Sequence, residues 1–175
     1  MGKLRKGYVH LYTGNGKGKT TAALGLALRA AGAGLKIFIA QFAKGSGTSE
    51  LESLKRFSGQ ITIKQFGGRS FIKRNPSNVD CARAAKGMAA VKKVIEKGRY
   101  DMVVLDEMCG ACRYKLIPVK EALAMIEKRP PWVEVVVTGR DAPKKLRAAA
   151  DLVTEMRERK HYYSKGVKAR KGIEF

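Results

Sequence analysis

Residues 12–23, "YTGNGKGKTTAA", carry alternate glycines at Gly14, Gly16 and Gly18, followed by Lys19, Thr20 and Thr21. Glycines at this spacing free successive backbone N–H groups to converge on phosphate oxygens where a helix begins. In such a loop Lys19 reaches the phosphates and the Thr20 hydroxyl sits on Mg²⁺. Lys17 adds a second cation, which suits a heavily charged polyphosphate. The usual pattern opens on a glycine, whereas Thr13 stands here.

A second cluster follows at "VVLDE" (103–107), where Asp106 and Glu107 end an apolar run. In an open α/β sheet ligands gather at that edge, so one or both carboxylates are expected on Mg²⁺, directly or through water. The other reading is that they cap the next segment. "TGR" (138–140) closes another apolar run, and Arg140 is suited either to gripping a terminal phosphate or to a surface ion pair. Cys109 and Cys112 form "CGAC"; with only Cys81, His10 and His161 besides, four zinc ligands are not in view, and the pair reads as helix-packing cysteines or a redox pair. "KHYYSKG" (160–166) interleaves aromatics with cations, as would stack a base or macrocycle, or pack the tail on the sheet.

Positioning these groups calls for strands that end together. "YVHLYT" (8–13) reads as a strand, "KTTAALGLALRAAGAG" as a helix stopped by Gly32 and Gly34, and "LKIFIAQF" (35–42) as a buried parallel strand. Ser49 and Glu52 have capping-box spacing, "ITIKQF" (61–66) is strand-like, and "GGRSFIKRNPSN" (67–78) is a long loop. Ser77 and Asp80 open a helix running to about Gly98, with Ala84, Met88, Val91 and Ile95 on one face. Strands over 100–107 and 132–140 flank a helix that begins at Pro118 and stops before Pro130. A short helix in "APKKLRAAA" and a strand in "DLVTEMRE" complete the alternation. It predicts a single domain over 1–175, a three-layer α/β fold with a mostly parallel sheet.

The 175 residues are 45% hydrophobic, enough for a real core. No run reaches the roughly 20 apolar residues of a membrane span, no secretory signal is visible, and Lys6 stands where an acylation signal after Gly2 would need Ser or Thr. With three unevenly spaced cysteines a disulfide framework is not expected, and a reduced, cytoplasmic setting fits. Lys and Arg number 36 against 15 acids, a net charge of +21. Residues 157–171 alone hold seven basic side chains and one acid. Such a field attracts nucleic acid, nucleotides, polyphosphates and acidic proteins alike; a solvated basic face is the plainer alternative.

Taken together, "TGNGKGKTTAALGLALRAAG", "QFAKG", "VVLDE", "VVVTGR" and "VTEMRERKHYYSKGVKARKGIEF" resemble the CobA-type ATP:corrinoid adenosyltransferases, from about Gly7 to Phe175. Thr13 before "GNGKGKT" is that family's own form of the loop. The resemblance implies a RecA-like P-loop fold and transfer of the 5′-deoxyadenosyl group of Mg-ATP to the cobalt of a reduced cob(I)alamin or related corrinoid, with loss of triphosphate. It further implies ATP bound in reverse of ordinary P-loop enzymes, so that C5′ points to the corrinoid. Asn15, Lys19, Thr20 and Glu107 become triphosphate and Mg²⁺ ligands, and Arg140 a further phosphate contact. Longer relatives have an N-terminal extension whose helix helps cover the corrinoid; here such a cover is expected to be missing or borrowed from a neighbour. Relatives carry Phe and Trp in the loop after the third strand, where this chain has Arg69 and Phe71, so a corrinoid pocket is expected around Phe71. An acidic flavoprotein reductant and a homodimer are the implied partners.

Cobalt(I) is itself a strong nucleophile, so the protein needs only to align cobalt, C5′ and the leaving oxygen and to stabilise the departing triphosphate. Cations without a catalytic triad match that need. The rival reading is a nucleic-acid-stimulated P-loop ATPase, favoured by fold and charge; it needs a residue that activates water, and only Glu107 offers itself.

Overall fold

The structure, a computed structural model, describes residues 4–42, 45, 48–68 and 76–175. Among the described residues six strands build one sheet: β1 (Val9–Thr13), β2 (Ile37–Gln41), β3 (Ile61–Gln65), β4 (Met102–Asp106), β5 (Glu134–Thr138) and β6 (Leu152–Glu155). Their spatial order is β3-β2-β4-β5-β1-β6, and every neighbouring pair is parallel. The sheet is therefore wholly parallel where a mostly parallel one was expected. β2 and β4, buried at every position, are the continuous apolar runs that a sheet covered on both faces requires.

The strand order dictates the layers. From β1 the chain moves three places along the sheet to β2 and one more to β3, then turns back through β4, β5 and β6. Because parallel crossovers are right-handed, helices of the outward leg and of the return leg must lie on opposite faces. The helices α1 (Lys19–Gly32) and α2 (Ser49–Leu54) accordingly pack on one face, where Ala23, Ala27 and Ala30 meet Ile37, Ile39, Val104 and Val136. On the other lie α3 (Asn78–Lys97), α4 (Met108–Arg113), α5 (Val119–Glu127) and α6 (Lys144–Ala149), with Val91, Met108, Ile126 and Leu146 against Val103, Leu105, Val135 and Val137.

Small side chains set how closely the helices approach. Alanines along α1 let its axis lie near the sheet and fix the loop at its start; a larger side chain at Ala27, which is fully buried, would cost about 1–3 kcal/mol in overpacking. On α3 the buried face is Ala84, Gly87, Val91 and Ile95, with Met88 half-buried beside it, one position displaced from the predicted stripe. Gly87 is required there: a Cβ would come within 2.8 Å of both Phe42 and Phe66.

The α3 capping box forms as predicted, Ser77 accepting from the Asp80 N–H while Asp80 accepts from that of Ser77. The one expected at Ser49 and Glu52 does not. Thr48 occupies the N-cap of α2 without a side-chain cap bond, Ser49 is already helical, and Glu52 pairs with Lys55 at 2.7 Å. The Ser49 hydroxyl instead donates to the Phe175 carbonyl at 2.9 Å, a tertiary partner that local spacing cannot reveal. None of the described helices is long and apolar enough to cross a membrane.

Candidate active site

β5 lies between β1 and β4, so three strand ends meet at one sheet edge: the glycine loop after β1, Asp106 and Glu107 after β4, and Thr138 to Arg140 after β5. Thr13 is the buried last residue of β1, its carbonyl accepting from the Met156 N–H at 2.8 Å. The loop proper begins at Gly14, which takes φ +97° and would drive a Cβ to 2.3 Å from the Met156 carbonyl oxygen. Only glycine fits there. That same carbonyl accepts from the Gly16 N–H at 2.8 Å, so the residue after β6 braces the loop from outside. At Gly18, φ +120° turns the chain into α1.

Lys19 is buried and curls under the loop, its Nζ donating to the carbonyls of Gly14 (2.8 Å) and Gly16 (2.7 Å). Burial pushes its ammonium below the ordinary lysine range, and Arg140 nearby pushes the same way, while Glu107 and Asp106 oppose it. The Thr20 hydroxyl donates to Asp106 Oδ1 at 2.9 Å, and the Thr138 hydroxyl to the same oxygen at 2.7 Å. Gln41 Nε2 donates to Asp106 Oδ2 at 3.0 Å and is itself held by Gln65 through its own oxygen. Asp106 thus receives three side-chain donors while buried.

Glu107 follows in the left-handed region at φ 59°, its N–H donating to Thr138 Oγ1 at 2.9 Å. For a residue with a Cβ that conformation costs roughly 1–2 kcal/mol. It turns the side chain out of the strand register, so that of the two adjacent acids Asp106 is sunk between strands and Glu107 faces the cavity. Gly139, at φ +140°, makes the matching turn beyond β5, its α-carbon packed too close to Cys109 for any Cβ.

A cavity of about 680 Å³ opens over this edge, bordered by Gly16 to Thr21, Glu107, Arg140, Ser49, Glu50, His161 and residues 172–175. Among the residues expected from sequence, Gly16, Lys17, Gly18, Lys19, Thr20, Thr21, Glu107 and Arg140 all reach it. Gly14 and Asn15 border a neighbouring hollow of about 430 Å³, and Asn15 Oδ1 accepts from the Glu158 N–H at 3.1 Å. Lys17 turns toward the C-terminal segment, donating to Glu174 at 2.8 Å and to the Tyr162 hydroxyl at 3.1 Å. Arg69 and Phe71 lie outside the described residues. Cys109 and Cys112 are buried in α4, where desolvation pushes their thiols up to about 12 and about 11, so they serve packing and stay protonated at neutral pH.

Sequence reasoning missed Thr138, Gln41, Met156, Glu174 and Phe175. Gln41 left a signal, a lone amide closing an apolar strand; Thr138 sat in the quoted "TGR" without a role.

Residues 5–175 match the family described as ATP:corrinoid adenosyltransferase BtuR/CobO/CobP. The chain belongs to this family. Among curated members it is 35% identical to a corrinoid adenosyltransferase of Pseudomonas aeruginosa over 97% of this chain and 84% of that one. It is 38% identical to a corrinoid adenosyltransferase of a Sinorhizobium species, over 97% and 81% of the two chains. With corrinoid adenosyltransferase CobA of Salmonella typhimurium it shares 34% over 97% and 86%. Among solved structures a KaiC-like protein of Pyrococcus horikoshii superposes with TM-score 0.55 at 16% identity, covering 88% of this chain and 73% of that one. That likeness is one of fold, and it agrees with the RecA-like P-loop architecture expected of an ATP:corrinoid adenosyltransferase.

Proposed function

We propose that this family member transfers the 5′-deoxyadenosyl group of Mg-ATP to the cobalt of a reduced corrinoid such as cob(I)alamin, releasing triphosphate, in cobalamin biosynthesis or salvage. The observation that carries the site assignment is the meeting of Gly16 to Thr21, Glu107 and Arg140 around one cavity, with Thr20 tied to the buried Asp106–Thr138 pair beneath it, in a chain matched to the family along nearly its whole length. The ATPase alternative is not favoured by that membership.

In this reading the loop N–H groups and Lys19 grip the triphosphate. Lys19 leaves the Gly14 and Gly16 carbonyls for phosphate oxygens, a charged acceptor replacing two neutral ones. The Asn15 amide and Arg140 are further phosphate contacts. The Thr20 hydroxyl with the carboxylates of Asp106 and Glu107 is an all-oxygen donor set, which suits Mg²⁺, and Mg²⁺ bound there would neutralise charge on the leaving triphosphate. Thr138 and Gln41 hold Asp106 from two sides, so that its carboxylate stays directed at Thr20. No general base is asked of the protein, because the cobalt of the substrate is the nucleophile; alignment and leaving-group stabilisation are what the chain supplies. Reverse ATP binding, Phe71 against the corrinoid, an acidic flavoprotein reductant drawn to the +21 charge, a homodimer and a cytoplasmic location complete the reading.

The test is anaerobic. Protein, Mg-ATP and chemically reduced cob(I)alamin should yield light-sensitive adenosylcobalamin and triphosphate in equal amounts. ADP and phosphate with unchanged cobalamin would overturn it.

A further inference from the structure

After β6 the chain touches the glycine loop through Met156 and Glu158, runs through exposed turns, and returns to that loop at Lys17 with its last residues. Glu174 is the hub. One carboxylate oxygen accepts from Lys17 Nζ at 2.8 Å, from the Tyr162 hydroxyl and from Arg170 at 3.4 Å; the other accepts from the Arg170 N–H at 2.6 Å. Lys17 and Arg170 also lie over the Tyr162 ring, 5.8 and 4.8 Å from its centre. A second tie joins the Phe175 carbonyl to Ser49 on α2. Between these two ties residues 172–175 stand as one wall of the cavity, facing the glycine loop across it.

Two features show that this wall is held by polar ties and not by a core. Ile173 is 56% exposed and Phe175 45%, so the segment is not anchored by burying its large side chains. Leu28, on the α1 side of the same cavity, is exposed too. Apolar groups bordering a polar phosphate loop are suited to the nucleoside end of a nucleotide. The pairing also changes the meaning of Lys17, which the sequence presents as a spare phosphate cation. Its charge is already matched by a carboxylate, and that carboxylate beside a triphosphate would repel it unless Lys17 and Arg170 stayed on it.

We propose that residues 172–175 form a wall of the nucleotide site, with Glu174 as its positioning residue and Lys17 as the tether that fixes Glu174 to the loop. This rests on the nucleotide-site reading above and assigns Lys17 to the wall instead of to phosphate. Closing the wall orders the segment before ATP arrives, so less ordering is left to oppose binding.

The test is a double-mutant cycle on the full chain with Lys17→Met, Glu174→Gln and both together. The readouts are the Kd for Mg-ATP and the rate of tryptic cleavage at Lys165, Lys168, Arg170 and Lys171, all of which are exposed. Each single variant should weaken ATP about tenfold and speed tail cleavage, and the double variant should lie within about twofold of the worse single one, because the residues act as one unit. In the wild type Mg-ATP should slow cleavage further. Single-variant effects that multiply would put Lys17 on phosphate independently of Glu174 and overturn the tether. Unchanged or tighter ATP binding in Glu174→Gln would overturn the positioning role, as would unchanged cleavage without nucleotide. Failure of the wild type to bind Mg-ATP would instead overturn the nucleotide site itself, and the nucleotide-free cleavage rates would tell the two failures apart.

Discussion

The Thr20 hydroxyl donates to Asp106 Oδ1 across 2.9 Å, joining the first turn of α1 to the end of β4 although 86 residues separate them. The bond exists because β5 sits between β1 and β4 and supplies Thr138 as a second donor to the same oxygen. One buried carboxylate is thereby the shared acceptor of two hydroxyls, and in the proposed site it would also direct Thr20 at Mg²⁺.

Asp106→Asn tests that dual role. An amide must present N–H₂ either toward Gln41 Nε2 or toward the two hydroxyls, and Thr138 Oγ1 already accepts the Glu107 N–H. No orientation serves every partner as the carboxylate does. Stability measured by urea unfolding should fall by roughly 1–3 kcal/mol. Activity should fall further than unfolding explains, and extra Mg²⁺ should restore part of it. Wild-type unfolding in this variant would show that the carboxylate is not needed for packing.

Lys19→Ala should leave the circular dichroism spectrum unchanged while ATP use disappears. Among the described residues the side chain bonds only loop carbonyls, so the sheet does not depend on it. A loss of at least about 100-fold in kcat/KM, near 2.7 kcal/mol, is expected for one phosphate-gripping charge. Full activity would sink the site assignment.

Gly139→Ala should lower stability by on the order of 3 kcal/mol and displace Arg140. At φ +140° a side chain is strained, and its Cβ would sit 2.7 Å from Cys109 Cβ and 3.1 Å from the Gly110 N–H. Thermal unfolding reads the first effect and the KM for ATP the second. A variant as stable as the wild type would mean that the turn relaxes without cost.

Alkali should weaken the fold through α4. Folding raises the thiols of Cys109 and Cys112 from 9.0 to about 12 and about 11, so the unfolded chain loses these protons first. Their contribution is complete below pH 9 and is lost as pH rises from there through the folded values. One unit above 9 the loss is roughly 1 kcal/mol per thiol. Urea midpoints should therefore drop less between pH 8 and pH 10 in Cys109→Ala/Cys112→Ala than in the wild type. For the same reason native alkylation followed by mass spectrometry should label Cys81, which is exposed, and spare the other two.

The glycine loop, the acid pair after β4 and the alternation of strand and helix were legible in the sequence because each is a local pattern: glycine where φ is positive, apolar runs where both faces are covered, punctuation where elements end. Family membership was legible for the same reason, since its motifs are short and contiguous. Tertiary structure decided the pairings. Which of two adjacent carboxylates goes inward was set by the left-handed turn at Glu107 and by Thr138 arriving from a strand 31 residues later. Ser49 has good capping-box spacing, yet its hydroxyl was claimed by Phe175, 126 residues away. Lys17 reads as a phosphate cation in the sequence, and its pairing with Glu174 exists only in the folded chain. Local spacing records what a residue can do to its neighbours along the chain; a hydrogen bond or ion pair across the sheet depends on strand order, which no single stretch of sequence contains.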